Sequence, residues 1–545
     1  MSDILVVVTA YDIPIAENVA AGLDRYAVLF FDPTLVDQIA ASKLRNTELV
    51  VWEACPAYAE LEARAHAHAH AFERELQARV ASSTPLAGWQ HLNLFYFFMS
   101  HHWYADLWPA VLERFRGARP HVFVNDNPSH FYWPSFLPAL LLLQQLRTHD
   151  IPFSAVTYGE RPDETDAIMD LQGSAEERFG VLTHLPTCFY DAKYFNAEVK
   201  ASGARCINIA PKYWAVPFEA ERDVAIGRRA TTDSADAFAP VLDALLVPYI
   251  ASDDYRMRQA RHLSRSYFSQ LYSLAALERF FGAQPPVRML LSDHEAGFHG
   301  PLIAYAQRHA IPVMLVPHAK VGNDCDFSYP NITALTHPIQ AVPLIDAAGR
   351  QMTHFPLAYP EALSNDTSMP QPLRTLGLLL SGLGLNGVLC TDWTSFIEGI
   401  KRISEWCTQR GVALSIRSRP GQTLTELLVH ELGRSRAEIV APLAGTLQAF
   451  AQSVDVCLMY DAPTSADIEF LRTGVPLLNP VPGQLSRSES IWVQSGLVPR
   501  GPVTETLAIL DGFLTDQTAL DAFKRRQFAQ YSGMFGEARA LRRFL

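Results

Sequence analysis

Two carboxylates and two histidines fall within seven positions in "SDHEAGFHG", where an apolar run gives way to a helix signal. Asp293 and Glu295 stand two positions apart, with His294 and His299 beside them. Carboxylates held close together raise the pKa of one of them, which suits a general base or a nucleophile. Helix capping and packing are the alternative roles. A further histidine, His318, ends the next apolar run and would lie beside the cluster if the two runs form neighbouring strands.

A glycine-rich segment and two arginines follow apolar runs in the last third of the chain. "SGLGLNG" begins at Ser381 and contains Gly382, Gly384 and Gly387 in the spacing GxGxxG, which lets a backbone approach a phosphate where a helix begins. A plain turn is the alternative. The next run ends in Arg417 and Arg419, whose guanidinium groups suit a phosphate, with an exposed surface pair as the alternative. The acidic residue expected there in an NAD site is missing.

A third group of polar residues follows a later apolar run in "DAPTSADIEFLRTG". Thr464 and Ser465 stand at a predicted helix N-terminus, where a hydroxyl can cap the helix or bind a phosphate oxygen. Glu469 lies one turn into this helix and is able to accept hydrogen bonds from ribose hydroxyls. A simple cap on a buried helix is the alternative. Asn125 ends another apolar run, nearer the N-terminus.

Apolar runs that alternate with helical patterns predict the elements that must position these residues. Such alternation is typical of parallel α/β sheets, and uninterrupted runs indicate strands buried on both faces. The predicted strands span 4–10, 27–32, 121–127, 153–159, 288–293, 312–318, 374–384, 413–419, 438–442, 456–461 and 475–480. Two long helical regions are predicted at 55–118 and 230–282. Ligands bind at the carboxyl ends of strands in such sheets, which is where the candidate residues stand.

The chain length and composition predict more than one domain. A chain of 545 residues is too long for one ordinary core. We predict a Rossmann-like domain with helical insertions over 1–345, a linker rich in proline and polar residues over 346–371, and a second Rossmann-like domain over 372–545.

Charge and cysteine usage exclude several classes of protein. The net charge of −12 argues against a dedicated nucleic-acid binder. The seven scattered cysteines include no CxxC pair, which disfavours a disulfide framework or a structural zinc site built on cysteine. The N-terminus "MSDILVVVTAYD" lacks a basic secretory region, and the longest apolar segment, at 131–146, is too short for a membrane span. We therefore expect a cytoplasmic protein.

Alternating histidines in "EARAHAHAHAFERELQARV" raise the question of a metal site. His66, His68 and His70 are two positions apart, and side chains at that spacing on a helix do not face the same way. We therefore expect structural or solvated histidines here and predict no metal site in the chain.

Two stretches resemble the GT-B glycosyltransferases of bacterial surface-polysaccharide assembly. "AYAQRHAIPVMLVPHAKV" at 304–321 resembles the segment that closes their N-terminal domain, with alanine at 319 in place of a glycine. "TSADIEFLRTGVPLL" at 464–478 resembles their donor-binding helix. The resemblance covers roughly 290–345 and 372–495. It implies an α/β GT-B fold, in which two Rossmann-like domains face each other across a cleft, here with helical additions in the N-terminal domain.

Three short motifs resemble those of GT-B enzymes that use CMP-activated acidic sugars, the sialyltransferases and Kdo transferases. They are "DHEAG" at 293–297, "RP" at 419–420 and "TS" at 464–465. The acidic residues are not adjacent as in that family, and arginine stands where histidine is expected; the "HP" at 337–338 comes earlier. The implied donor is CMP-Kdo or another CMP-activated acidic sugar.

The resemblance assigns roles to the candidate residues and implies a metal-independent glycosyltransferase without cofactors. Asp293 is the first choice for the reacting carboxylate and Glu295 the second, as a base in an inverting enzyme or a nucleophile in a retaining one. His318 is a further catalytic candidate, and His299 and Asn125 would line the acceptor side or the cleft. The donor-binding residues would be Ser381, Gly382, Gly384, Arg417, Arg419, Thr464, Ser465 and Glu469.

The expected partners are a nucleotide-sugar donor and a glycan or glycolipid acceptor, with peripheral contact to the inner face of the cytoplasmic membrane and no nucleic acid. Three alternatives stay open. A CDP-polyol phosphotransferase of teichoic-acid type would use the same fold, although it should have a basic acceptor face. A sugar-nucleotide 2-epimerase needs fewer residues than this chain has. A non-catalytic scaffold of a polysaccharide synthesis complex would show no turnover of nucleotide.

Overall fold

The structure is a computed structural model. It describes residues 2–52, 56–80, 86, 89–127, 134–159, 167–170, 187–190, 206–211, 223–230, 233–292, 299–316, 332–336, 354–356, 372–380, 384–385, 388–389, 392–419, 423–461, 466–483, 493 and 496–533. Within these ranges the strands form three main sheets and one two-stranded ribbon. The predicted α/β class with Rossmann-like parallel sheets is confirmed by the first and third of them.

The first sheet is parallel and has the order β3-β2-β1-β4-β5. Its strands are β1 (Ser2–Val7), β2 (Tyr26–Phe30), β3 (Thr47–Leu49), β4 (Ala118–Asn125) and β5 (Ser154–Tyr158). The central position of β1 follows from its apolar run, because Leu5, Val6 and Val7 are all fully buried. The direction of strand order reverses between β1 and β4, and doubly wound sheets bind ligands beside such a reversal.

Five helices are described in the part of the chain that carries this sheet, where helical patterns were predicted. They are α1 (Asp12–Ala20), α2 (Val36–Ala41), α3 (Tyr58–Arg79), α4 (His91–Val111) and α5 (Leu137–Thr148). Helices α1 and α5 contact strands of this sheet, and helices α3 and α4 pack against each other. Helix α4 carries much of the aromatic core, including the fully buried Phe97, Phe98 and Trp108. These aromatic side chains bury large apolar areas and so contribute strongly to the hydrophobic stabilisation of the core.

The second sheet has the order β13-β12-β11-β10-β7-β8-β9-β6. Its strands are β6 (Ala167–Asp170), β7 (Thr187–Tyr190), β8 (Cys206–Pro211), β9 (Asp223–Ala230), β10 (Arg288–Ser292), β11 (Val313–Val316), β12 (Ile332–Thr336) and β13 (His354–Pro356). The described pairs are parallel apart from β6 with β9. Strand β13 lies inside the segment 346–371 expected as a linker, and the domain boundaries themselves stay a prediction.

Three of the described helices flank the second sheet in sequence and share one core with the first sheet. They are α6 (Ala239–Leu246), α7 (Asp253–Phe281) and α8 (His299–Arg308). One cluster of buried apolar residues extends from Ile4 of β1 to Val313 of β11. The helical additions therefore join the two sheets through a continuous hydrophobic core.

The third sheet is parallel, with the order β17-β14-β18-β19-β20. Its strands are β14 (Thr375–Leu380), β17 (Ala413–Arg417), β18 (Val456–Tyr460), β19 (Leu477–Val481) and β20 (Arg500–Pro502). A short antiparallel ribbon is formed by β15 (Gly384–Leu385) and β16 (Val388–Leu389). The helices are α9 (Trp393–Arg410), α10 (Thr425–Leu432), α11 (Arg436–Val440), α12 (Leu447–Gln452), α13 (Asp467–Thr473), α14 (Val503–Thr515) and α15 (Gln517–Gly533).

The predicted strand at 438–442 is wrong, because helix α11 occupies most of this segment. Ser435 and Glu438 form a capping box at its N-terminus, in which each side chain accepts a hydrogen bond from the backbone of the other residue. This reciprocal cap satisfies two backbone donors that a helix start otherwise leaves without an intrahelical partner. The local cap therefore decides the conformation of a short apolar segment.

Asp37 of α2 connects the first sheet's helices to the part of the chain that carries the third sheet. Its carboxylate accepts hydrogen bonds from the backbone N–H groups of Thr425 and Glu426, both at 2.8 Å, and from the hydroxyl of Thr423. Asp37 therefore caps helix α10 from a position almost 400 residues earlier in the chain.

Replacing Asp37 with alanine is expected to raise amide exchange in the first turn of α10 by about tenfold, since loss of an N-cap costs ~1 kcal/mol or somewhat more. Hydrogen exchange read by mass spectrometry on a peptide from 423–432 measures this change. Asp516→Ala is the matched control, because Asp516 caps α15 from its own end. Exchange in 423–432 that is equal in Asp37→Ala and in wild type would contradict the prediction.

Among the described helices, none combines the length and apolar character needed to cross a membrane.

Candidate active site

The carboxyl ends of three neighbouring strands of the third sheet meet at one edge. Leu379 of β14 is paired with Arg417 of β17, and Leu380 of β14 is paired with Tyr460 of β18. The chain therefore leaves all three strands at the same level. The strand order reverses direction between β14 and β18, which is where a doubly wound sheet binds its ligand. The segments predicted to bind the donor all begin at this edge.

The sequence predicted that the glycine-rich segment after β14 opens directly into a helix, and the structure differs. Gly384 belongs to the short strand β15, and the next helix, α9, begins only at Trp393. Its start is set by Asp392, whose carboxylate accepts from the backbone N–H groups of Thr394 and Ser395. Ser381, Gly382, Thr464 and Ser465 lie outside the described residues. Their roles in donor binding stay a prediction.

The two candidate arginines have different surroundings. Arg417 is half-buried and donates to the carbonyl oxygens of Pro442 and Gly445, the latter at 2.8 Å. Its guanidinium carbon also lies 5.8 Å from the ring centroid of Phe450. These contacts tie Arg417 to the segment that precedes α12. Arg419 stands two residues past the end of β17 with an exposed side chain, so it is the more accessible of the two to a phosphate.

The end of β18, which leads to Thr464 and Ser465, is fixed by a buried amide that sequence analysis did not identify. Asn479 of β19 donates through Nδ2 to the carbonyl oxygens of Met459 and Asp461, at 3.1 Å for Asp461. Asp461 has a φ of 64°, in the left-handed region, so the chain turns sharply as it leaves the strand. Helix α13 then begins at Asp467, with Glu469 in its first turn.

Glu469 keeps the position predicted for it near the N-terminus of a helix. Its side chain is half-buried, and Oε2 lies 3.5 Å from Nη1 of Arg472 one turn later. A carboxylate at this place is favoured by the partial positive charge of the helix N-terminus. The same carboxylate remains the candidate acceptor for ribose hydroxyls.

In the second sheet, the strands that precede the two groups of candidate catalytic residues are neighbours. Strands β10 and β11 pair in parallel, with Ser292 opposite Val316. Asp293 directly follows β10, and His318 comes two residues after β11. The condition set by the sequence, that these strands be adjacent, is therefore met. Asp293, Glu295 and His318 themselves lie outside the described residues.

His299, the candidate for the acceptor side, is the first residue of helix α8. The adjoining glycine, Gly300, packs closely on Trp89, just before α4, and on Gln270 of α7. A Cβ atom built on Gly300 would lie 3.0 Å from Cγ of Trp89 and 3.2 Å from Oε1 of Gln270. This close packing accounts for glycine at the second position of the helix. It also connects the start of α8 to α7 and to the residues just before α4.

At the carboxyl edge of the first sheet, a buried acid was missed by the sequence analysis. Asp12, at the start of α1, is 2% exposed. Its Oδ2 accepts from the N–H groups of Val8 and Thr9 at 2.9 and 2.7 Å, and its Oδ1 accepts from the hydroxyl of Tyr158 at 2.7 Å. Burial raises the pKa of Asp12 to about 6, against the lowering effect of these hydrogen bonds. The pKa of Tyr158 is raised mainly by burial and, to a smaller extent, by the nearby Asp12 carboxylate.

Asn125, predicted to line the acceptor side, is buried at the end of β4, which pairs with β1, the strand that precedes Asp12. Its Oδ1 accepts from the N–H of Asn127 at 2.9 Å, which closes the turn after the strand. The adjoining Asp126 accepts from Nη1 of Arg258 in α7 at 3.0 Å. Asn125 thus stands at the reversal between β1 and β4, although its role toward an acceptor stays a prediction.

The signal for this edge was present in the sequence as "VVVTAYD", a buried run followed closely by a carboxylate at a helix start. The partner hydroxyl of Tyr158 comes 146 residues later, so the pair is visible only once β1, β4 and β5 are placed in order.

No protein-family model matches the sequence, and no curated protein matches it. Among solved structures, the chain is similar to MurG of Acinetobacter baumannii, at 12% identity and a TM-score of 0.36, over 63% of this chain and 95% of that one. It is also similar to the glycosyltransferase SnogD of Streptomyces nogalater, at 14% identity and a TM-score of 0.36, over 64% of this chain and 95% of that one. A likeness at this level of identity and TM-score carries no argument about function.

Proposed function

We propose that the chain is a GT-B glycosyltransferase that transfers a sugar from a nucleotide donor to a glycan acceptor. The observation that carries the proposal is the strand order of the third sheet, which reverses between β14 and β18. The glycine-rich segment, Arg419 and the Thr464–Ser465 pair follow the three strands at this reversal. Crevices of this kind bind nucleotides in open α/β sheets.

The donor phosphates would lie among Ser381, Gly382, Gly384, Arg419 and the hydroxyls of Thr464 and Ser465. Backbone N–H groups of a glycine-rich segment and an exposed guanidinium supply hydrogen bonds and positive charge to a diphosphate or monophosphate. Glu469 would accept from the ribose. Arg417, which already binds two carbonyl oxygens, would act by holding the neighbouring segment in place.

The reacting carboxylate would come from the edge of the second sheet. Asp293 is the first choice and Glu295 the second, because both follow β10, and His318 would approach from the neighbouring β11. In an inverting reaction the carboxylate accepts the proton of the acceptor hydroxyl as that oxygen attacks the anomeric carbon. In a retaining reaction the carboxylate attacks the anomeric carbon itself. His299 and Asn125 would line the acceptor side of the cleft.

The finer assignment is a CMP-activated acidic sugar such as CMP-Kdo, transferred to a surface glycan without a catalytic metal. It is supported by the order of "DHEAG", "RP" and "TS" along the chain. In such a reaction basic side chains and helix N-termini would stabilise the leaving nucleotide. We place the enzyme in the cytoplasm, with peripheral contact to the inner face of the membrane where its acceptor would be assembled.

Single replacements Thr464→Ala, Ser465→Ala and Arg419→Ala are each expected to weaken nucleotide binding by about 1–2 kcal/mol, the value of a hydrogen bond to a charged group. A thermal-shift panel of CMP, UDP, GDP, TDP and CDP-glycerol would first identify the nucleotide, and titration would then give each affinity. Arg410→Ala is the matched control, because Arg410 pairs with Asp511 just before β17 begins, away from the carboxyl edge.

The outcomes of that experiment separate the candidates. Unchanged affinity in all three variants would reject the donor site. A preference for UDP over CMP would reject only the CMP-sugar assignment, and a preference for CDP-glycerol would favour the phosphotransferase. Nucleotide binding without turnover on any acceptor would favour the scaffold.

A further inference from the structure

One face of helix α3 carries three side chains that are able to bind a metal. His66, His70 and Glu73 are spaced by four and three residues, so they lie in one stripe along the helix. The stripe faces the beginning of α4, whose first residue is His91. The alternating partner on α3, His68, points elsewhere and pairs with His102 at 2.8 Å.

The potential ligand atoms of this group are close together. One nitrogen each from His70 and His91 and a carboxylate oxygen of Glu73 all lie within 4.8 Å of one another. Within the group, Nδ1 of His91 and Oε2 of Glu73 lie 3.7 Å apart. Ligands of a tetrahedral zinc ion are about 3.3 Å apart, given bonds of about 2.0–2.1 Å. Small side-chain rotations would therefore bring these three atoms into a coordination sphere.

A fourth side chain adjoins the group. Nδ1 of His66 lies 3.0 Å from Nε2 of His91. Glu73 approaches the other nitrogen of His91, Nδ1, so His66 is an outer partner of this ring; the ring of His66 is 6.5 Å from that of His70, centroid to centroid. Two imidazoles and one carboxylate make a donor set that suits a borderline-soft divalent ion and does not suit Ca²⁺ or Mg²⁺, which prefer oxygen ligands.

The carboxylate of Glu73 is held in a fixed orientation. Its Oε1 accepts from the backbone N–H of Gln90 at 3.1 Å and from the hydroxyl of Tyr267 in α7 at 3.3 Å. These contacts turn the other oxygen, Oε2, toward His91. Metal sites characteristically hold their ligands through such outer hydrogen bonds.

The burial of the group also favours a cation. The side chains of Glu73 and His91 are each 2% exposed and lie beside an aromatic and aliphatic core. A buried carboxylate is costly unless positive charge and hydrogen bonds compensate it. A divalent ion held by the imidazoles would add to the compensation that the hydrogen bonds of Glu73 provide.

We infer that His70, Glu73 and His91 bind one Zn²⁺-class divalent ion, with His66 as an outer hydrogen-bond partner of His91. The ion joins α3 to the start of α4. The inference does not depend on the proposed sugar transfer, because none of these side chains is among the residues assigned to it. Other contacts hold the residues just before α4 to neighbouring elements: Gln270 of α7 donates to the carbonyl of Trp89 at 3.0 Å, and Trp89 packs on Gly300 at the start of α8.

The test is a Zn²⁺ titration of the full-length chain after treatment with EDTA and removal of the chelator. Competition with a chromophoric chelator should show one Zn²⁺ bound per chain. His70→Ala and Glu73→Gln should each weaken binding by more than tenfold, since they remove a ligand. Tyr267→Phe, which removes only the outer hydrogen bond, should weaken it by roughly 10- to 100-fold. His68→Ala is the matched control, on the same helix and paired with α4 but outside the stripe.

A second readout separates metal binding from general damage. Zn²⁺ should raise the melting temperature of the metal-free wild type and of His68→Ala, because a ligand that binds only the folded state stabilises it. It should leave the melting temperature of His70→Ala unchanged. His70 is only half-buried, so this variant decides the outcome even if Glu73→Gln fails to fold. Equal Zn²⁺ affinity in wild type and His70→Ala, or the absence of Zn²⁺ binding by wild type, would overturn the inference.

Discussion

Replacing Asp293 with asparagine is expected to lower the rate of sugar transfer by about two orders of magnitude or more, the usual contribution of a general base. Asparagine keeps the shape and hydrogen-bonding capacity of the side chain but can neither take a proton from the acceptor nor attack the anomeric carbon. Asp293 directly follows β10, whose neighbour β11 leads to His318. Nucleotide affinity and melting temperature should stay near the wild-type values, because the donor is assigned to the other edge.

Two further variants serve as comparisons for Asp293→Asn. Glu295→Gln ranks the two carboxylates, since only the reacting one should show the large loss. Asp392→Asn is a benchmark for a carboxylate that caps a helix, because Asp392 accepts from two backbone N–H groups at the start of α9. If Asp293→Asn and Glu295→Gln both transfer sugar at the wild-type rate, the catalytic group lies elsewhere. If Asp293→Asn instead loses stability as Asp392→Asn does, its role is that of a cap.

Strand positions were predictable because buried parallel strands have a simple local signature. The uninterrupted apolar runs at β1, β4, β14 and β18 each needed only their own sequence to be recognised. The run at 438–442, most of which lies in α11, was wrongly predicted as a strand, because short apolar segments occur in strands and helices alike. The capping-box residues Ser435 and Glu438 indicate a helix start there, whereas the spacing of the apolar residues does not distinguish a helix from a strand.

The candidate sites were predictable only in part, because their geometry depends on contacts between distant segments. That β10 and β11 are neighbours could be stated only as a condition, since strand order is not a local property. Asp12 and Tyr158 are separated by 146 residues, and Asp37 caps a helix 388 residues away. Neither pair leaves a pattern in the sequence between them.

The histidines of α3 show how an obvious pattern can direct attention to the wrong spacing. Their alternation drew attention to neighbours two positions apart, which do not share a helix face. The informative spacing was four and three, from His66 to His70 to Glu73, and it leads to His91 on another helix. The expectation of structural histidines fits His68, whose partner is His102. A search by helix face would have found the stripe on α3 but not His91, which lies on another helix.

Stability is expected to fall as the pH rises from about 4 to about 6, through the titration of Asp12. Burial raises its pKa in the folded chain to about 6 from an ordinary value of 3.8. The folded state therefore holds this proton more tightly than the unfolded chain does. The resulting stabilisation is fully present below about pH 4 and is lost as the pH rises through about 6. A difference of about two pKa units corresponds to roughly 3 kcal/mol, of which about 1 kcal/mol falls between pH 5 and 7.

Asp12→Asn removes this contribution and should flatten the pH dependence. Asparagine can still accept from the N–H groups of Val8 and Thr9, so the start of α1 keeps its cap. The measurement is the free energy of unfolding from urea titrations at pH 5, 6 and 7, taken as the difference between variant and wild type. Taking the difference cancels other carboxylates, including Asp32, whose pKa burial also raises. A difference that is the same at pH 5 and pH 7 would show that Asp12 does not titrate in this range.

Tyr158→Phe supplies the matched comparison, because it alters the same carboxyl without removing it. The hydroxyl of Tyr158 donates to Oδ1 of Asp12 at 2.7 Å and stabilises the ionised form. Without this hydrogen bond the pKa of Asp12 should rise further, since burial then acts with less opposition. The loss of stability should therefore extend to higher pH in Tyr158→Phe, whereas it disappears in Asp12→Asn. Opposite shifts from two variants at one hydrogen bond would assign the titration to Asp12 itself, because a general loss of packing would move both variants in the same direction.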